Sequence, residues 1–523
     1  MKSAPISDDQ SLAIAQASRE CEIKLNGPAH VLRNLKTHPA FANAIVKPRA
    51  VNLRAVYFDT AEGDLARNAL SLRIRKAGRR RTMNVKWASK GEGAFTRGES
   101  EVAISSELPD LTLLAPEAAA HIERTTKGAG LQPVFKTSVR RKLMEIVDGQ
   151  SIIEIAFDEG KLIAGASSEP VSEIEIELKS GPQAPIYALA LQLIDAGLRL
   201  APATKSARGY LLGAGVKPQD MRAAPVSLPA DASMEDALVA MIEVSLSHFM
   251  ANWPGLLVSD LPEAIHQMRV ALRRLRAGLK MFARALPGAG LAPLRDQARD
   301  IASALGQARE VDAFVDLVQA GPLTQFENDA SFEALLAHAQ TQRSNAYEVA
   351  RACVNDAKTS RFVLELQAYC AQRGWRNALA ADDLASLSQP LRMFAAQALN
   401  DLDKRVKKRG KRLRKLNPED RHELRIALKN MRYGADFLCL AFNDARAINA
   451  FLKRAAALQN DLGVYNDSIA ACEVAAAIER EAGPAAAYAA GRIEGWCARG
   501  AHASDDHLRK GFKAFRDAPR FWR

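Results

Sequence analysis

The sequence has few features of a secreted, zinc-binding or disulfide-stabilised protein. Its six cysteines are scattered over 523 residues, and no two of them form a C-x-x-C pair. No histidine stands near them at the spacing of zinc ligands. Disulfide frameworks and zinc sites both depend on such spacings. We therefore expect buried, unpaired thiols in a reducing compartment.

Long hydrophobic runs and a basic leader are also missing. No stretch approaches about 18 apolar residues, so no transmembrane helix is expected. The segment "MKSAPISDDQSLAIAQ" has acids where a signal peptide has its basic and apolar regions. These patterns predict a cytoplasmic protein with no membrane partner. Aromatic residues make up only 6% of the chain and no stacking motif is evident, which disfavours binding to nucleic acid.

Positive charge is what the chain has in excess. Its 72 Lys and Arg residues outnumber 60 Asp and Glu, which gives a formal net charge of +12. This excess favours polyanionic partners, namely nucleic acid, an anionic membrane surface or polyphosphate. At 523 residues the chain is too long for one core, so we expect two or three domains.

The sequence pattern changes from strands to helices at one place. Up to residue 212, short alternating runs such as "ECEIKL", "LSLRIRK" and "SEIEIELKS" are separated by Gly, Asp, Pro and Ser turns. This pattern predicts a β-rich domain over 15–212. The segment 213–233 has no periodicity and predicts a linker. The remainder, 234–523, is rich in Ala, Leu and Arg and predicts an all-helical domain.

Two segments of the helical part carry the same stripe of basic residues. In "IHQMRVALRRLRAGLKMF", from Ile265, a histidine is followed by arginines three, seven and ten positions later. "RHELRIALKNMRYGADFL", from Arg421, repeats this spacing with one lysine among the cations. On a helix these four positions fall on one narrow face. Like charges at this spacing repel, so we expect an anion to compensate them.

Neighbouring segments extend the match. "LGQARE", from Leu305, resembles "LGVYND", from Leu462, which indicates an internal duplication with copies at about 234–390 and 391–523. Ahead of the second stripe, "KRVKKRGKRLRK" (404–415) has nine basic residues of twelve and no acid. We expect this run to continue as a helix on the same basic surface.

The predicted strands separate charge by sign. Two glutamates and a lysine share one face of "ECEIKL", three glutamates and a lysine share one face of "SEIEIELKS", and "LSLRIRK" presents two arginines. For any single strand, a solvated face remains the alternative explanation. Solvated faces usually mix signs, however. Rows of carboxylates suit Mg²⁺ or Mn²⁺, and rows of Arg and Lys suit phosphate oxygens. Together they predict a site for a metal-bound phosphate chain.

The motif Glu20-x-Glu22-x-Lys24 resembles the signature of the CYTH, or triphosphate tunnel metalloenzyme, family, and later charged elements follow in the family's order. The resemblance covers 15–212 and implies an eight-stranded antiparallel tunnel that binds a triphosphate with Mg²⁺ or Mn²⁺. The implied metal ligands are Glu20, Glu22, Glu101, Asp158, Glu175 and Glu177. The implied triphosphate-binding residues are Lys24, Arg73, Arg75, Lys86, Arg140 and Lys205. The implied catalytic residues are Lys24, Glu22 and Glu175.

Two details of this resemblance depend on single positions. The family has an arginine on the strand "FKTSVRRKL", and we prefer Arg140 to Arg141 because Arg140 shares a face with Lys136 and Ser138. Asn84 stands where the family frequently has Thr.

The helical part resembles the CHAD family, whose pattern is the basic stripe in two copies. The resemblance implies a surface that binds inorganic polyphosphate through His266, Arg269, Arg273, Arg276, Lys280, Arg309, Lys408, Arg412, His422, Arg425, Lys429 and Arg432. The predicted fold class is thus α+β multidomain. An N-terminal eight-stranded antiparallel β tunnel (CYTH) precedes a C-terminal all-α pseudo-symmetric double helical bundle (CHAD).

The combined resemblance implies a metal-dependent inorganic triphosphatase that hydrolyses tripolyphosphate to pyrophosphate and phosphate in the cytoplasm or at polyphosphate granules. The alternative is a non-enzymatic, granule-associated polyphosphate-binding protein with a weak or vestigial tunnel. Adenylate cyclase and thiamine triphosphatase activities also stay open, because the tunnel residues recognise a triphosphate and not its substituent. The sequence predicts neither an oligomeric state nor a choice between the two metals.

Overall fold

Two compact units make up the protein. The computed structural model describes residues 18–47, 49–88, 94–217, 219–229, 231–326 and 329–523. One unit comprises Met1–Asp220 with Trp253–Val258 and Val363–Ala371, and the other comprises the rest of the chain. The segment "MKSAPISDDQSLAIAQ" and the predicted domain start at residue 15 lie outside the described residues. The domain boundaries stay predictions.

A single antiparallel sheet dominates the described part of the first unit. Its strands are β1 (Ser18–Asn26), β2 (Ile45–Val46), β3 (Val51–Asp59), β4 (Ser71–Ala77), β5 (Arg80–Ala88), β6 (Thr96–Ala103), β7 (Gln132–Asp148), β8 (Ser151–Ala164), β9 (Ser167–Ser180) and β10 (Arg199–Leu200). Eight strands follow the order β1-β6-β5-β4-β3-β7-β8-β9, and β9 pairs with β1 to close the sheet. The short β2 and β10 pair with β7 and β1. The predicted eight-stranded closed tunnel is confirmed.

Helices cover the apolar outer face of this sheet. The α-helices of the first unit up to residue 220 are α1 (Ala29–Asn34), α2 (Asp64–Arg67), α3 (Pro116–Thr126), α4 (Ala184–Asp195) and α5 (Lys205–Ala214). Leu72 of β4 and Val85 of β5 are fully buried and share a core with Ala118 and Ile122 of α3. Because side chains alternate along a strand, burial of these residues turns their charged neighbours inward.

Helix α5 packs against the inner face of the sheet at β7. A Cβ atom at Gly209 would lie 2.0 Å from the ring of Phe135, so only glycine permits this approach. Phe135 stacks on Tyr57 with ring centroids 4.3 Å apart and meets Tyr210 of α5 edge-on. These aromatic rings fill the interior at this place. The helix also presents Lys205, its first residue, to the charged part of the interior.

From residue 234 onward the described residues are helical almost throughout. The α-helices are α6 (Met234–Val258), α7 (Pro262–Ala285), α8 (Leu291–Ala304), α9 (Gly306–Ala320), α10 (Ala330–Val354), α11 (Ala357–Ala371), α12 (Ala381–Leu387), α13 (Leu391–Arg409), α14 (Pro418–Leu438), α15 (Ala445–Ala482) and α16 (Pro484–Arg516). One core joins α9, α10, α15 and α16 through residues such as Phe314, Phe332 and Ile493. None of the described helices is long and apolar enough to span a membrane. The predicted all-helical part is confirmed.

The basic run 404–415 is not one continuous helix, so that prediction is wrong. Helix α13 ends at Arg409, a turn follows, and a short 3₁₀ helix spans Leu413–Lys415. Helix α14 starts afresh because the Asn417 side chain accepts a hydrogen bond from the Asp420 backbone N–H at 2.7 Å. A proline at the first helical position, Pro418, suits this new start and keeps the preceding residue extended.

Candidate active site and basic surface

Three carboxylates of the tunnel converge on one ammonium group. The Nζ atom of Lys205 lies 2.6 Å from Asp158, 2.5 Å from Glu173 and 2.9 Å from Glu175. Asp158 and Glu173 are direct neighbours across β8 and β9, and both are almost fully buried. Two strands thus supply the anions and α5 supplies the cation.

Lys24 joins this cluster from β1. Its Nζ lies 2.7 Å from Glu22 and 2.7 Å from Glu175. Burial alone would raise the pKa of Glu175, but the nearby Lys205, Lys24 and Arg141 hold this pKa well below its usual range. Burial also opposes ionisation of Glu22, yet Lys24 and Lys86 lower its pKa. These carboxylates are therefore ionised at neutral pH.

The neighbouring inner positions form a second set of pairs. Lys86 of β5 contacts Glu20 and lies 3.6 Å from Glu99. Burial and the adjacent Glu22 raise the pKa of Glu20. Asn84, 1% exposed, donates a hydrogen bond to Glu99 at 2.6 Å. An amide at this position thus holds a carboxylate in place.

Two arginines of β4 extend the cationic lining. Arg73 donates a hydrogen bond to the Tyr57 hydroxyl at 3.1 Å, and Arg75 lies 2.7 Å from Glu101. The Nε–H group of Arg73 is buried with no acceptor among the described residues. Its guanidinium can therefore still donate to a phosphate oxygen.

Arg141, and not Arg140, lies in the tunnel, which corrects the preference stated from the sequence. Arg141 donates to both oxygens of Asp158, at 2.7 and 2.6 Å, and contacts Glu175, whereas Arg140 is exposed. The inner face of β7 carries Phe135 and Val139 ahead of Arg141, because α5 covers that part with apolar side chains. The polar-looking face of "FKTSVRRKL" is the outer one.

Asp158, Glu173 and Glu175 also form a group that could hold a metal ion. Their ligand oxygens lie within 4.8 Å of one another. Mg²⁺ and Mn²⁺ prefer such oxygen ligands. The ammonium of Lys205 already lies against all three carboxylates, so their arrangement suits a cation.

The other predicted metal ligands are Glu20, Glu22, Glu101 and Glu177. They lie on the inner face but outside this group. Glu177, for example, pairs with Lys179 at 2.6 Å. Glu173 was absent from the predicted ligands, although alternation in "SEIEIELKS" places it on the same face as Glu175.

The stripe on α7 lines a groove in the helical unit. Arg269, Arg273 and Arg276 border a space of about 550 Å³ together with the start of α9. Arg269 donates to the backbone carbonyl of Ala302 at 3.0 Å. None of the three arginines has a carboxylate within ion-pair distance among the described residues. Burial and then Arg273 lower the pKa of Arg269 to about 10.

The stripe on α14 adjoins the stripe on α7. Arg273 of α7 reaches the Tyr433 hydroxyl of α14 at 3.4 Å. Burial, followed by Arg425, Arg273 and Arg269, lowers the pKa of Lys429 to about 7, and Asp467 opposes this shift. Cations of both helices thus act on one lysine, and the two stripes form one basic surface.

Buried guanidinium groups on this surface have hydrogen-bonding capacity left over. On this surface, the Nε–H groups of Arg269, Arg276, Arg425 and Arg432 are buried without an acceptor among the described residues. Buried donors normally form a hydrogen bond, and burying one without an acceptor lowers the stability of the protein by about 1–3 kcal/mol. Each of these four guanidinium groups therefore has a donor that no described protein group accepts.

Sequence profiles of two known domain families match the chain. The CYTH domain profile matches residues 18–210, and the CHAD domain profile matches residues 240–476. The chain is a CYTH–CHAD protein.

Three proteins are similar to parts of it. A protein named inorganic triphosphatase, from Haemophilus influenzae (strain ATCC 51907 / DSM 11121 / KW20 / Rd), is 33% identical over 172 residues, which cover 32% of this chain and 48% of that protein. An uncharacterized protein of Mycobacterium tuberculosis (strain CDC 1551 / Oshkosh) is 27% identical over 290 residues, or 51% of this chain and 53% of that protein. The chain thus matches about half the length of these curated relatives.

The third is the crystal structure of the CHAD domain from the plant Ricinus communis. It superposes with a TM-score of 0.50 at 27% identity, covering 58% of this chain and 99% of that structure. The likeness supports the helical fold of this CHAD domain.

Three further residues predicted to bind polyphosphate, Lys280, Lys408 and Arg412, are exposed. Arg309 of α9 lies 3.7 Å from Asp316, and burial together with Arg309 lowers the pKa of His266. Asn466 and Asp467 contact the second stripe and were not among the predicted site residues, although they stand in the matched segment "LGVYND".

Replacing Arg141 should destabilise the CYTH domain, whereas replacing Arg140 should not. Arg141→Met leaves Asp158 and Glu175 with one cation fewer, and breaking such a buried pair costs about 3 kcal/mol. Arg140→Met changes only an exposed residue of the same strand. Urea denaturation, with hydrogen exchange of peptides from β7 to β9 to locate the effect, measures both variants. Equal stability of the two variants would contradict the placement of Arg141.

Proposed function

We propose that the CYTH domain hydrolyses tripolyphosphate to pyrophosphate and phosphate with Mg²⁺ or Mn²⁺, and that the CHAD domain binds inorganic polyphosphate. The observation that carries the first part is the convergence of Lys24, Arg141 and Lys205 on Glu175 inside one closed tunnel. The similarity to a protein named inorganic triphosphatase supports it.

The cations of the tunnel hold and orient the phosphates. Lys24, Arg141 and Lys205 exchange their carboxylate partners for phosphate oxygens, which are equally suited to charge-assisted hydrogen bonds. Arg73 has a buried Nε–H without an acceptor among the described residues, so it gains a partner when a phosphate arrives. Phosphoryl transfer depends mainly on such positioning and charge neutralisation.

Release of Lys205 to a phosphate leaves the three carboxylates beside it available. Asp158, Glu173 and Glu175 would hold a divalent ion, which would supply charge neutralisation for the bound phosphates. A carboxylate of the tunnel positions the attacking water in line with the terminal phosphorus and accepts its proton. The water oxygen bonds to this phosphorus as the bond to the bridging oxygen breaks, so phosphate forms and pyrophosphate leaves with the electron pair of that bond.

The CHAD domain offers cations whose hydrogen-bond donors are only partly used. Four buried Nε–H groups lack acceptors in the described residues, and the groove on α7 is lined by three arginines. Polyphosphate supplies oxygens along a thin chain and so reaches several of these donors at once. A protein that binds polyphosphate in this way would also locate to polyphosphate granules in the cytoplasm.

A phosphate-release panel tests the enzymatic proposal. We expect purified full-length protein to release phosphate from tripolyphosphate faster than from ATP, thiamine triphosphate or long-chain polyphosphate, with Mg²⁺ or Mn²⁺ present and not with EDTA. Glu22→Gln should lower this rate at least about tenfold, because it removes a charge that holds Lys24 and lies beside the three carboxylates that could hold a metal ion. Glu159→Gln, an exposed neighbour of Asp158, serves as the control. Polyphosphate binding without hydrolysis of any substrate would favour the non-enzymatic alternative.

Two matched glycines test the groove on α7. A Cβ atom at Gly306 would lie 2.6 Å from Nη1 of Arg269, so Gly306→Ala should displace this guanidinium. At Gly463, the equivalent position of the second copy, the nearest contact would be 3.9 Å. Both changes replace glycine in a helix by alanine and should preserve or raise stability by up to about 1 kcal/mol. We expect Gly306→Ala to weaken polyphosphate binding in calorimetric titrations and Gly463→Ala to leave it unchanged. Equal affinities of the two variants would contradict a role for Arg269.

Lys429 should make polyphosphate binding pH-dependent. Its pKa of about 7 in the unbound protein means that a polyanion, which favours the charged form, binds with uptake of a proton above this pH. Affinity should therefore be flat below about pH 7 and fall by up to about tenfold per pH unit above it. Lys429→Arg keeps the charge at every pH tested and should flatten the profile. Identical profiles for the two proteins between about pH 7 and 9 would refute the assignment.

A further inference from the structure

The two basic stripes match position by position in sequence, but their surroundings differ. On the α7 side, the matched segment at the start of α9 contributes Arg309 and Glu310. On the α14 side, the equivalent segment lies within α15 and contributes Asn466 and Asp467. The second copy therefore has one cation fewer beside its stripe.

The residues of α15 contact the second stripe directly. Asp467 lies 3.2 Å from Nη2 of Arg425, and Asn466 lies 3.2 Å from Nδ1 of His422. Arg425 is about one-fifth exposed, whereas Asp467 is more than half exposed, so this carboxylate can turn into solvent. The stripe on α14 thus already has a weak internal anion.

The first stripe lacks such a contact. Its Arg269 donates to a backbone carbonyl, and none of its three arginines pairs with a carboxylate in the described part of the protein. Glu310, the counterpart of Asp467, borders the same groove and acts on Arg269 only from a distance. An anion can enter this groove without first displacing a carboxylate from one of its arginines.

We infer that the two stripes are unequal polyphosphate sites: the α7 stripe is open, and the α14 stripe is held by Asp467 until a polyphosphate segment displaces this carboxylate. This inference rests on the proposed binding of polyphosphate to the CHAD domain. Occupation of the α7 groove comes first, and extension of the same chain over α14 follows when Asp467 turns away.

Removal of the internal anion tests this order. Asp467→Asn should strengthen binding of long-chain polyphosphate by about two- to fivefold, the range expected when a partly exposed ion pair no longer competes. Glu310→Gln removes the same charge from the equivalent position, where it touches no arginine of the stripe, and should have a smaller effect. Titrations use the full-length protein in EDTA, so that turnover in the tunnel is suppressed. Equal gains for the two variants would mean that only net charge matters and would overturn the inference.

A double-mutant cycle provides the decisive comparison. Arg269→Ala should weaken binding more than Arg425→Ala, because Arg425 gives up a contact with Asp467 when it binds the anion. In the Asp467→Asn background, the loss caused by Arg425→Ala should increase by about two- to fivefold, while the loss caused by Arg269→Ala should stay the same. Independent effects of Asp467 and Arg425 would refute the inference. If the unmodified protein does not bind polyphosphate at all, the proposed function fails instead.

Discussion

Neutralisation of charge inside the tunnel is the constraint on which the CYTH domain depends. Removing an ion from water costs several kcal/mol unless an opposite charge and hydrogen bonds replace the solvent. Glu175 meets this requirement with Lys24, Arg141 and Lys205, which come from β1, β7 and α5. Closure of the sheet and docking of α5 are therefore needed before these charges can be buried. Many of these counter-charges come from another element, although Lys24 also pairs with Glu22 of its own strand.

The same pairing is compatible with the proposed site for a metal and a polyanion in the absence of either ligand. Internal cations neutralise the carboxylates of the tunnel, and internal carboxylates neutralise its cations. Under the proposed function, a metal-bound triphosphate would carry both charges in one ligand and could replace the two sets together. Exchange of partners in this way avoids leaving any buried charge alone, which would be the costly outcome.

The CHAD domain follows a different rule. Its stripe on α7 concentrates arginines with no carboxylate partner in the described residues, and burial lowers the pKa of Arg269 to about 10. Repulsion of this kind opposes folding and has to be offset by packing elsewhere, for example in the core of α9, α10, α15 and α16. Both copies carry an acid at the same position of the short matched segment, Glu310 and Asp467, but only Asp467 forms an ion pair with an arginine of its stripe.

Alternation and helical period, read from the sequence alone, determined the strand-rich domain, the helical domain and the faces shared by the charged residues, because these periods fix which face a side chain occupies. Closure of the sheet, with the charged face inward, was expected only from the resemblance to the CYTH family. Tertiary structure decided the rest. The inner face of β7 is apolar where α5 covers it, so the choice between Arg140 and Arg141 depended on a helix far along the chain. Glu173 lies in the carboxylate group that could hold a metal ion, because Asp158 is its cross-strand neighbour and Lys205 contacts both. The inequality of the two stripes likewise came from contacts with α15, since a repeated sequence specifies equal faces but not the residues packed against them.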